Sequence, residues 1–322
     1  MRILLTGIYG FIGSNLAMKF KFEGHEVIGI DAMTTSYDHQ VHTARRDLIR
    51  SLGFQVSELD LSEFSGESIV NQLNDLTSDL NFDAIVHLAA WPGVLKSELF
   101  PDKYFKNNVV AFVNVLSLIE LLRPSKFLYA SSSSVYGDMG SLSVCEEDFP
   151  LPEALNFYAK TKQVDEQLAS IYPNPYGTEI CGLRFFTVIG PWGRPDMSYW
   201  NFTEKVLSNE EVSLRGETGG FRDFTDIDDL TGIISKVLRS EKPLPKILNI
   251  SNTEPKSARD IVDMVGAELH ILPRVKIVNR SGSEADTTVG SKAILMGIID
   301  DWEWIPISTT IKNFIEWYRK TY

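Results

Sequence analysis

The stretch TGIYGFIG at residues 6–13 follows a short apolar run, RILL, at the start of the chain. A glycine-rich turn between a first strand and a first helix is typical of dinucleotide-binding units. Gly7, Gly10 and Gly13 allow a tight turn, close approach of the backbone to a pyrophosphate, and close packing of the helix. The N–H groups that open the helix face the anion. The stretch therefore predicts a dinucleotide site at the first strand–helix junction.

An acidic residue closes the second predicted strand. Asp31 ends HEVIGID at 25–31, at the distance from the glycines where a carboxylate meets the adenosine ribose hydroxyls. A carboxylate there repels a 2′-phosphate, and no arginine follows directly in DAMTTSYD, so NAD is favoured over NADP. Asp60 ends the run ELD and has two open interpretations, a contact to the adenine amino group or a simple helix cap.

Short β-branched runs alternate with helical patterns through the first part of the chain. The predicted strands lie near 25–31, 54–60, 83–90, 126–132 and 178–185, and the predicted helices near 12–23, 66–79, 101–123 and 157–171. This alternation predicts an α/β fold, with a Rossmann-type doubly wound parallel sheet and a smaller C-terminal α/β substrate lobe. We place an NAD-binding domain at 1–186, with segments returning to it from about 224–252, and the lobe mainly at 187–322.

The composition excludes several classes of protein. The 322 residues are 43% hydrophobic and 23% charged, with a net charge of −12, which is typical of a soluble globular chain. No basic face is available for nucleic acid and no polybasic patch for a membrane. No apolar run reaches ~18 residues and no signal peptide is visible, so we expect a cytoplasmic protein. Cys145, Cys181 and the five histidines show no metal-ligand spacing, so no metal is expected.

The pair Tyr158 and Lys162 lies four residues apart in YAKTK, on one face of a predicted helix. A tyrosine is ordinarily a poor base at neutral pH. A neighbouring ammonium group and the positive ring of an oxidised nicotinamide stabilise the phenolate, and the lysine can also hold the nicotinamide ribose. Together with the glycine turn upstream, this pair predicts nicotinamide redox chemistry.

Four consecutive serines occupy 131–134, at the carboxyl end of a predicted strand, where doubly wound sheets bind their ligands. A polar strand exit is one interpretation. Four hydroxyls exceed what a strand exit needs, so we predict that one donates to the hydroxyl or carbonyl of a substrate.

These motifs resemble the extended short-chain dehydrogenase/reductases of the NAD-dependent nucleotide-sugar epimerase and dehydratase family. The matching segments span nearly the whole chain: TGIYGFIGSNL at 6–16, HLAAWPGV at 87–94, YFKNNVVAFVNVL at 104–116, SSSSVYG at 131–137, YAKTK at 158–162, RFFTVIGPWGRPDM at 184–197 and RDFTDIDDL at 222–230. The 184–197 segment is similar to a stretch characteristic of UDP-glucuronate 4-epimerases within that family.

The resemblance implies a mechanism. Tyr158 would remove the proton of the sugar 4-hydroxyl while NAD takes the hydride, and Ser132 would be the hydroxyl partner. A 4-keto sugar results, which rotates and is reduced again on its other face. Dehydratases of this superfamily have carboxylates where this chain has Ser133 and Ser134, so the resemblance favours epimerisation over loss of water. The implied cofactor contacts, besides those named above, are Phe11, Ile12, Leu61, Leu88, Ala89, Ala90 and Asn107.

The substrate contacts follow from the same resemblance. A 4-keto uronate is a β-keto acid that loses carbon dioxide easily, so an epimerase must hold its carboxylate. Arg194 offers a bidentate fork and Thr187 a hydroxyl for that purpose, while Arg222 and Arg280 resemble arginines that bind the diphosphate. Arg194 as a surface arginine or a diphosphate contact is the other interpretation.

Several positions depart from the family pattern. Ser283 stands where an aspartate normally meets the uridine ribose, Ile189 replaces a frequent tyrosine, and Trp91 and Pro92 replace smaller or amide residues. An epimerase or dehydratase of another nucleotide sugar, such as UDP-glucose or UDP-N-acetylglucosamine, therefore stays open.

A non-catalytic dinucleotide-binding regulator is disfavoured because both Tyr158 and Lys162 are present. The resemblance also implies a homodimer, built from the helices at 101–123 and 157–171. Supply of precursors for surface polysaccharide would fit this chemistry.

Overall fold

The computed structural model describes residues 1–34, 37, 39–138, 144–279 and 285–322. The strands are β1 (Arg2–Thr6), β2 (Glu26–Asp31), β3 (Gln55–Glu58), β4 (Ala84–His87), β5 (Lys126–Ser132), β6 (Val144–Cys145), β7 (Glu179–Phe185), β8 (Thr187–Ile189), β9 (Glu211–Arg215), β10 (Phe221–Asp226), β11 (Ile247–Ile250), β12 (Pro255–Ser257), β13 (Arg274–Val278) and β14 (Thr287–Gly290). The helices are α1 (Phe11–Phe22), α2 (His39–Ser51), α3 (Gly66–Leu76), α4 (Val94–Leu99), α5 (Pro101–Tyr104), α6 (Ala111–Leu116), α7 (Leu118–Leu122), α8 (Phe157–Ile171), α9 (Ser198–Leu207), α10 (Ile227–Arg239), α11 (Ala258–Leu269), α12 (Ala293–Ile299) and α13 (Ile307–Thr321).

The main sheet confirms the predicted fold class. Its strand order is β3-β2-β1-β4-β5-β7-β11, and every neighbouring pair is parallel. The order reverses between β1 and β4, and ligands of doubly wound sheets bind at the carboxyl ends of the strands beside such a switch point. The glycine turn at the end of β1 lies at this point.

Side chains alternate between the two faces of the sheet, because successive residues of a strand point to opposite sides. Ile3 and Leu5 belong to a core under α1, α10 and α12. Leu4, between them, belongs to a second core under α3, α6 and α7. Both faces of the sheet are therefore buried, which explains why its strands are continuous apolar runs.

A second, smaller layer carries much of the C-terminal part. Strands β12, β10, β14 and β6 pair in that order, β8 also pairs with β10, and β13 pairs with β9. A core of aromatic and aliphatic side chains from α9, α11 and α13 lies under this layer. The chain crosses between the layers in both directions: β11 joins the main sheet beside β7, whereas β6 leaves the first half of the chain to pair with β14.

The predicted helix at 101–123 forms with an interruption. A π-helical segment, Phe105–Val110, separates α5 from α6. By length and composition, Pro101–Leu122 could cross a membrane, although part of it is buried inside the fold. Its inner side packs against α3 and α8, as in the core helix of a globular protein.

Candidate active site

The glycine turn forms a cradle that admits no side chain. Gly7 has a φ of +73°, and a Cβ on it would lie 2.7 Å from the backbone nitrogen of Ala89. A Cβ on Gly13 would lie 2.0 Å from the carbonyl oxygen of Gly7. The helix α1 begins directly afterwards with Gly10 as its N-cap residue. This geometry fits a pyrophosphate held by backbone N–H groups, so the residues present suit a dinucleotide.

Asp31 is buried at the end of β2. Its carboxylate accepts hydrogen bonds from the backbone N–H groups of Tyr9 (2.9 Å) and Met33 (3.0 Å). Burial raises the pKa of Asp31 to about 6, against the lowering effect of those two N–H groups. Nε2 of His42 lies 3.7 Å from the same carboxylate, and burial lowers the pKa of this histidine to about 4. At neutral pH Asp31 is therefore a fixed anion beside a neutral imidazole.

Asp60 is not a helix cap, because Ser65 caps the next helix, α3, and the contact of Asp60 to the adenine stays a prediction. Its Oδ1 atom accepts hydrogen bonds from the backbone N–H (2.9 Å) and the hydroxyl (2.6 Å) of Ser62, which closes a turn. Asp60 also lines the same cavity as Asp31.

The catalytic pair lies on α8, whose first turn is capped by Asn156. The Asn156 side chain accepts a hydrogen bond from the Ala159 N–H at 2.8 Å. The backbone N–H of Tyr158 donates to the hydroxyl of Ser97 at 3.0 Å. Lys162 is 3% exposed, and its ammonium lies 3.1 Å from the Asp165 carboxylate. The lysine charge is thus held in a buried position one turn from the tyrosine.

The serine run divides into structural and cavity-lining parts. The hydroxyl of Ser131 donates to the buried carboxylate of Glu166 at 2.6 Å, which ties β5 to α8. The hydroxyl of Ser132 accepts from the N–H of Ser134 (3.2 Å) and lies 3.1 Å from the Ser134 hydroxyl. Ser132, Ser133 and Ser134 all face the cavity where β5 ends and a single 3₁₀ turn begins.

An aromatic chain supports the tyrosine. The rings of Trp91 and Tyr104 meet edge to face at 5.8 Å, and those of Tyr104 and Tyr158 at 6.3 Å. The side chain of Asn108, in the π-helical segment, accepts a hydrogen bond from the backbone N–H of Trp91 at 2.7 Å and donates one to the Thr161 hydroxyl at 3.1 Å. Single π-turns inside helices frequently occur at functional sites. Sequence reasoning missed this support, although the adjacent Asn107 was among the predicted cofactor contacts.

The arginines have different surroundings. Arg194 pairs with Asp196 through two hydrogen bonds, and both Arg194 and Thr187 line the cavity. Arg222 also lines the cavity, and its guanidinium donates to the carbonyls of Ala285 (2.8 Å) and Asp286 (3.0 Å). Arg280 and Ser283 lie outside the described residues.

One cavity of about 770 Å³ brings the predicted residues together, a size usual for small-molecule sites. It lies at the carboxyl ends of the main-sheet strands and extends between the two layers. The predicted contacts that line this cavity are Gly7, Gly10, Phe11, Ile12, Gly13, Asp31, Asp60, Leu61, Leu88, Ala89, Ala90, Asn107, Ser132, Ser133, Ser134, Tyr158, Lys162, Thr187, Arg194 and Arg222. Sequence reasoning did not single out other lining residues, among them Asn156, Asp196, Asn201 and Arg215. Their positions depend on loops whose paths a linear sequence does not show.

The sequence model of the NAD-dependent epimerase/dehydratase family matches residues 3–251. The chain belongs to this family. NAD is therefore its cofactor, in agreement with the cradle and with Asp31.

Two curated members of the family illustrate the relationship. UDP-glucuronate 4-epimerase 4 of Arabidopsis thaliana is 31% identical over 338 residues, which cover 99% of this chain and 76% of the plant protein. Protein CapI of Staphylococcus aureus is 31% identical over 339 residues, covering 100% of this chain and 99% of CapI.

The solved structure of UDP-glucuronic acid 4-epimerase from Bacillus cereus, in complex with UDP-glucuronic acid and NAD, has a similar fold. It superposes on this chain with a TM-score of 0.89. The two chains are 28% identical, and the superposition covers 100% of each. Among the described residues, no group of three or more histidine, cysteine, aspartate or glutamate side chains is placed to hold a metal ion.

Proposed function

We propose that this protein is an NAD-dependent epimerase that interconverts UDP-glucuronate and UDP-galacturonate through a transient 4-keto intermediate. The observation that carries the proposal is that one cavity joins the dinucleotide cradle, the Tyr158–Lys162 pair and the bidentate guanidinium of Arg194. The relatives from Arabidopsis thaliana and Bacillus cereus, which bear the name of this activity, support the same substrate.

Each chain residue then has a defined task. Tyr158 accepts the proton of the sugar 4-hydroxyl and later returns it, while Ser132 hydrogen-bonds to the same oxygen. Lys162, with its ammonium already buried, stabilises the phenolate and binds the nicotinamide ribose. When bound, NAD takes the hydride from carbon 4 and gives it back, so the cofactor is regenerated in each turnover. Asp31 binds the adenosine ribose, and the glycine cradle binds the pyrophosphate.

The sugar half of the cavity favours epimerisation over dehydration. Among the described residues that line the whole cavity, the carboxylates are Asp31, Asp60 and Asp196. The first two lie in the cofactor half, and the third is paired with Arg194. Loss of water from the sugar needs a general acid and base close to carbons 5 and 6. Serines occupy the positions after Ser132, so these residues supply no such carboxylate.

The direct test incubates the purified protein with UDP-glucuronate and NAD and follows the UDP-sugars by proton NMR. Growth of the UDP-galacturonate signal is the expected result. Tyr158→Phe should lower turnover by roughly 10²–10⁴-fold, the usual contribution of a general acid–base group, while NAD still binds. Tyr176→Phe, an exposed tyrosine outside the cavity lining, is the matched control and should keep wild-type turnover. An unchanged Tyr158→Phe enzyme would contradict the mechanism, and conversion of neutral UDP-sugars alone would reassign the substrate.

We also propose that two copies pair through the 101–122 helical run and α8. Apolar side chains on these helices are exposed in the single chain, with Phe105 at 50%, Val113 at 43%, Leu121 at 42% and Ile171 at 77%. Apolar side chains grouped in this way suit an interface between copies. The cytoplasmic location and the supply of polysaccharide precursors stay predictions.

A further inference from the structure

A short turn carries Arg194 and Asp196 into the cavity at the start of α9. The carbonyl of Arg194 accepts a hydrogen bond from the N–H of Met197 at 3.1 Å. Pro195 occupies the second position of this turn, where its fixed φ is favourable. The turn therefore brings the side chains of Arg194 and Asp196 together by local geometry.

The contact between the two side chains is bidentate. Nε of Arg194 lies 2.9 Å from Oδ1 of Asp196, and Nη2 of Arg194 lies 2.6 Å from Oδ2. The side chains are only 16% and 26% exposed, and both residues line the cavity. Burial opposes the guanidinium charge, but the adjacent Asp196 carboxylate outweighs it and raises the pKa of Arg194. A pair of parallel charge-assisted hydrogen bonds sets the plane of a guanidinium as well as its position.

Neighbouring groups hold the same turn from the cofactor side. Arg45, from α2, donates to the carbonyls of Trp192 (2.9 Å) and Gly193 (2.5 Å), immediately before Arg194. The ring of Tyr37 has its centroid 5.4 Å from Cζ of Arg194, and a hydroxyl that accepts from Arg45 at 2.7 Å. The guanidinium of Arg194 is therefore held at one edge and supported on one face.

The opposite edge of the guanidinium is available to a ligand. A guanidinium has five N–H donors, and the Asp196 contact uses the hydrogen of Nε and one of the two hydrogens of Nη2. Across the described ranges, Asp196 is the hydrogen-bonding partner of this guanidinium. The Nη1 atom and the remaining hydrogen of Nη2 can donate two parallel hydrogen bonds to a second planar carboxylate.

We propose that Asp196 is a positioning residue that fixes Arg194 so that this second edge grips the carboxylate of the uronate substrate. The proposal rests on the function proposed above and adds a residue that makes no contact with the substrate itself. Its task is to hold the substrate carboxylate in place, and with it the bond between carbons 5 and 6, while the sugar is a 4-keto acid.

The orientation of the bond between carbons 5 and 6 decides whether carbon dioxide is lost. In the 4-keto intermediate, the bond between carbons 5 and 6 breaks readily when it aligns with the carbonyl π system. Carbon dioxide then leaves, the electron pair of the bond passes into the carbonyl to form an enolate, and the enolate takes up a proton to give a UDP-4-ketopentose. The hydride stays on the cofactor, so each such event also leaves one reduced NAD. A guanidinium held by Asp196 and Tyr37 keeps the carboxylate away from this alignment.

The test compares wild type, Asp196→Asn, Arg194→Lys and the double variant, each with UDP-glucuronate and NAD. Carbon dioxide and UDP-pentose are measured against UDP-galacturonate, and the KM for UDP-glucuronate is measured against the binding constant of UDP alone. Asp263→Asn is the control, because both carboxylate oxygens of Asp263 accept from Nε of Arg259 (2.9 and 3.0 Å), and Asp263 is absent from the cavity lining.

Asp196→Asn should raise the KM for UDP-glucuronate by ~10-fold or more, the equivalent of one lost hydrogen bond to a charged group. The ratio of carbon dioxide to epimer should rise by a similar factor, whereas binding of UDP should stay unchanged. The Asp196 substitution should add little in the Arg194→Lys background, because the aspartate acts through the arginine. Asp263→Asn should match wild type in every measurement.

Three results would overturn the proposal. A lower KM in Asp196→Asn would mean that the aspartate competes with the substrate carboxylate for the arginine. An unchanged product ratio, or full additivity with Arg194→Lys, would make the aspartate merely structural. Unchanged UDP binding and an unchanged Tm verify that the variant is folded, and Asp196→Glu replaces it if it is not. If wild type forms no UDP-galacturonate, the proposed function fails instead, whatever the Asp196 variants show.

Discussion

Arg45 provides a sharp test of how α2 supports the substrate loop. Its side chain is fully buried, and its guanidinium donates hydrogen bonds to Tyr37, Trp192 and Gly193. Its Cζ atom also lies 5.9 Å from the centre of the Phe11 ring, next to the glycine cradle. Arg45→Met keeps an unbranched apolar stem in place of the first part of the side chain and removes the guanidinium with all three hydrogen bonds. The loop before Arg194 then loses its attachment to α2.

The magnitude follows from these contacts. Hydrogen bonds from a charged group contribute about 1.5 kcal/mol or more each, so three contribute roughly 4–5 kcal/mol. The substitution also removes the desolvation penalty of the buried guanidinium, which is several kcal/mol, and this offsets part of the lost stability. Two carbonyls and a hydroxyl are left without their donor, so we expect a net destabilisation of about 2–3 kcal/mol.

The assay is urea unfolding followed by circular dichroism, with KM for UDP-glucuronate measured on the folded protein. Arg45→Met should unfold at a lower urea concentration and should raise KM more than it lowers kcat, because the loop is displaced but Tyr158 is not. Arg46→Met is the control on the same helix, since Arg46 forms a partly exposed ion pair with Asp47 that contributes at most about 1 kcal/mol. Wild-type stability and KM in Arg45→Met would refute the reasoning.

Three further predictions concern the cofactor site and the assembly. Gly13→Ala should abolish measurable NAD binding in calorimetry, because its Cβ would lie 2.0 Å from the Gly7 carbonyl oxygen. Gly297→Ala, with open space around the new Cβ on α12, should bind NAD normally. Because the folded-state pKa of Asp31 is about 6, above its ordinary value of 3.8, the charged carboxylate that binds ribose is lost as pH falls through 6. The NAD dissociation constant should then rise by up to about tenfold per pH unit below 6, and Asp31→Asn should remove this dependence. The raised pKa of Asp31 also means that its protonation stabilises the folded apoprotein increasingly as pH falls from 6 towards 3.8. Leu121→Glu should shift the protein from dimer to monomer in size-exclusion chromatography with light scattering, whereas Leu272→Glu, which is 91% exposed in the other layer, should not.

The sequence alone was enough to predict the main sheet and the residues that line the cradle end of the cavity. The glycine turn, Asp31 and the Tyr158–Lys162 pair are local patterns, in which spacing sets the geometry: a turn between β1 and α1, the last residue of a strand, and two positions on one helical face. The alternation of apolar strands and helices predicted a parallel sheet because such strands must be buried on both faces.

The tertiary structure decided how the substrate half is built. Helix α2 has no counterpart among the predicted helices, because His42 and Arg45 take buried positions on the face where apolar residues would mark the period. The pair of Arg194 and Asp196 forms within one local turn, but its place in the cavity depends on the path of that loop. The contact of Arg45 with Trp192 and the aromatic chain from Trp91 to Tyr158 join segments far apart in sequence. No spacing rule encodes these contacts, since they exist only once the second layer has folded against the carboxyl ends of the main sheet.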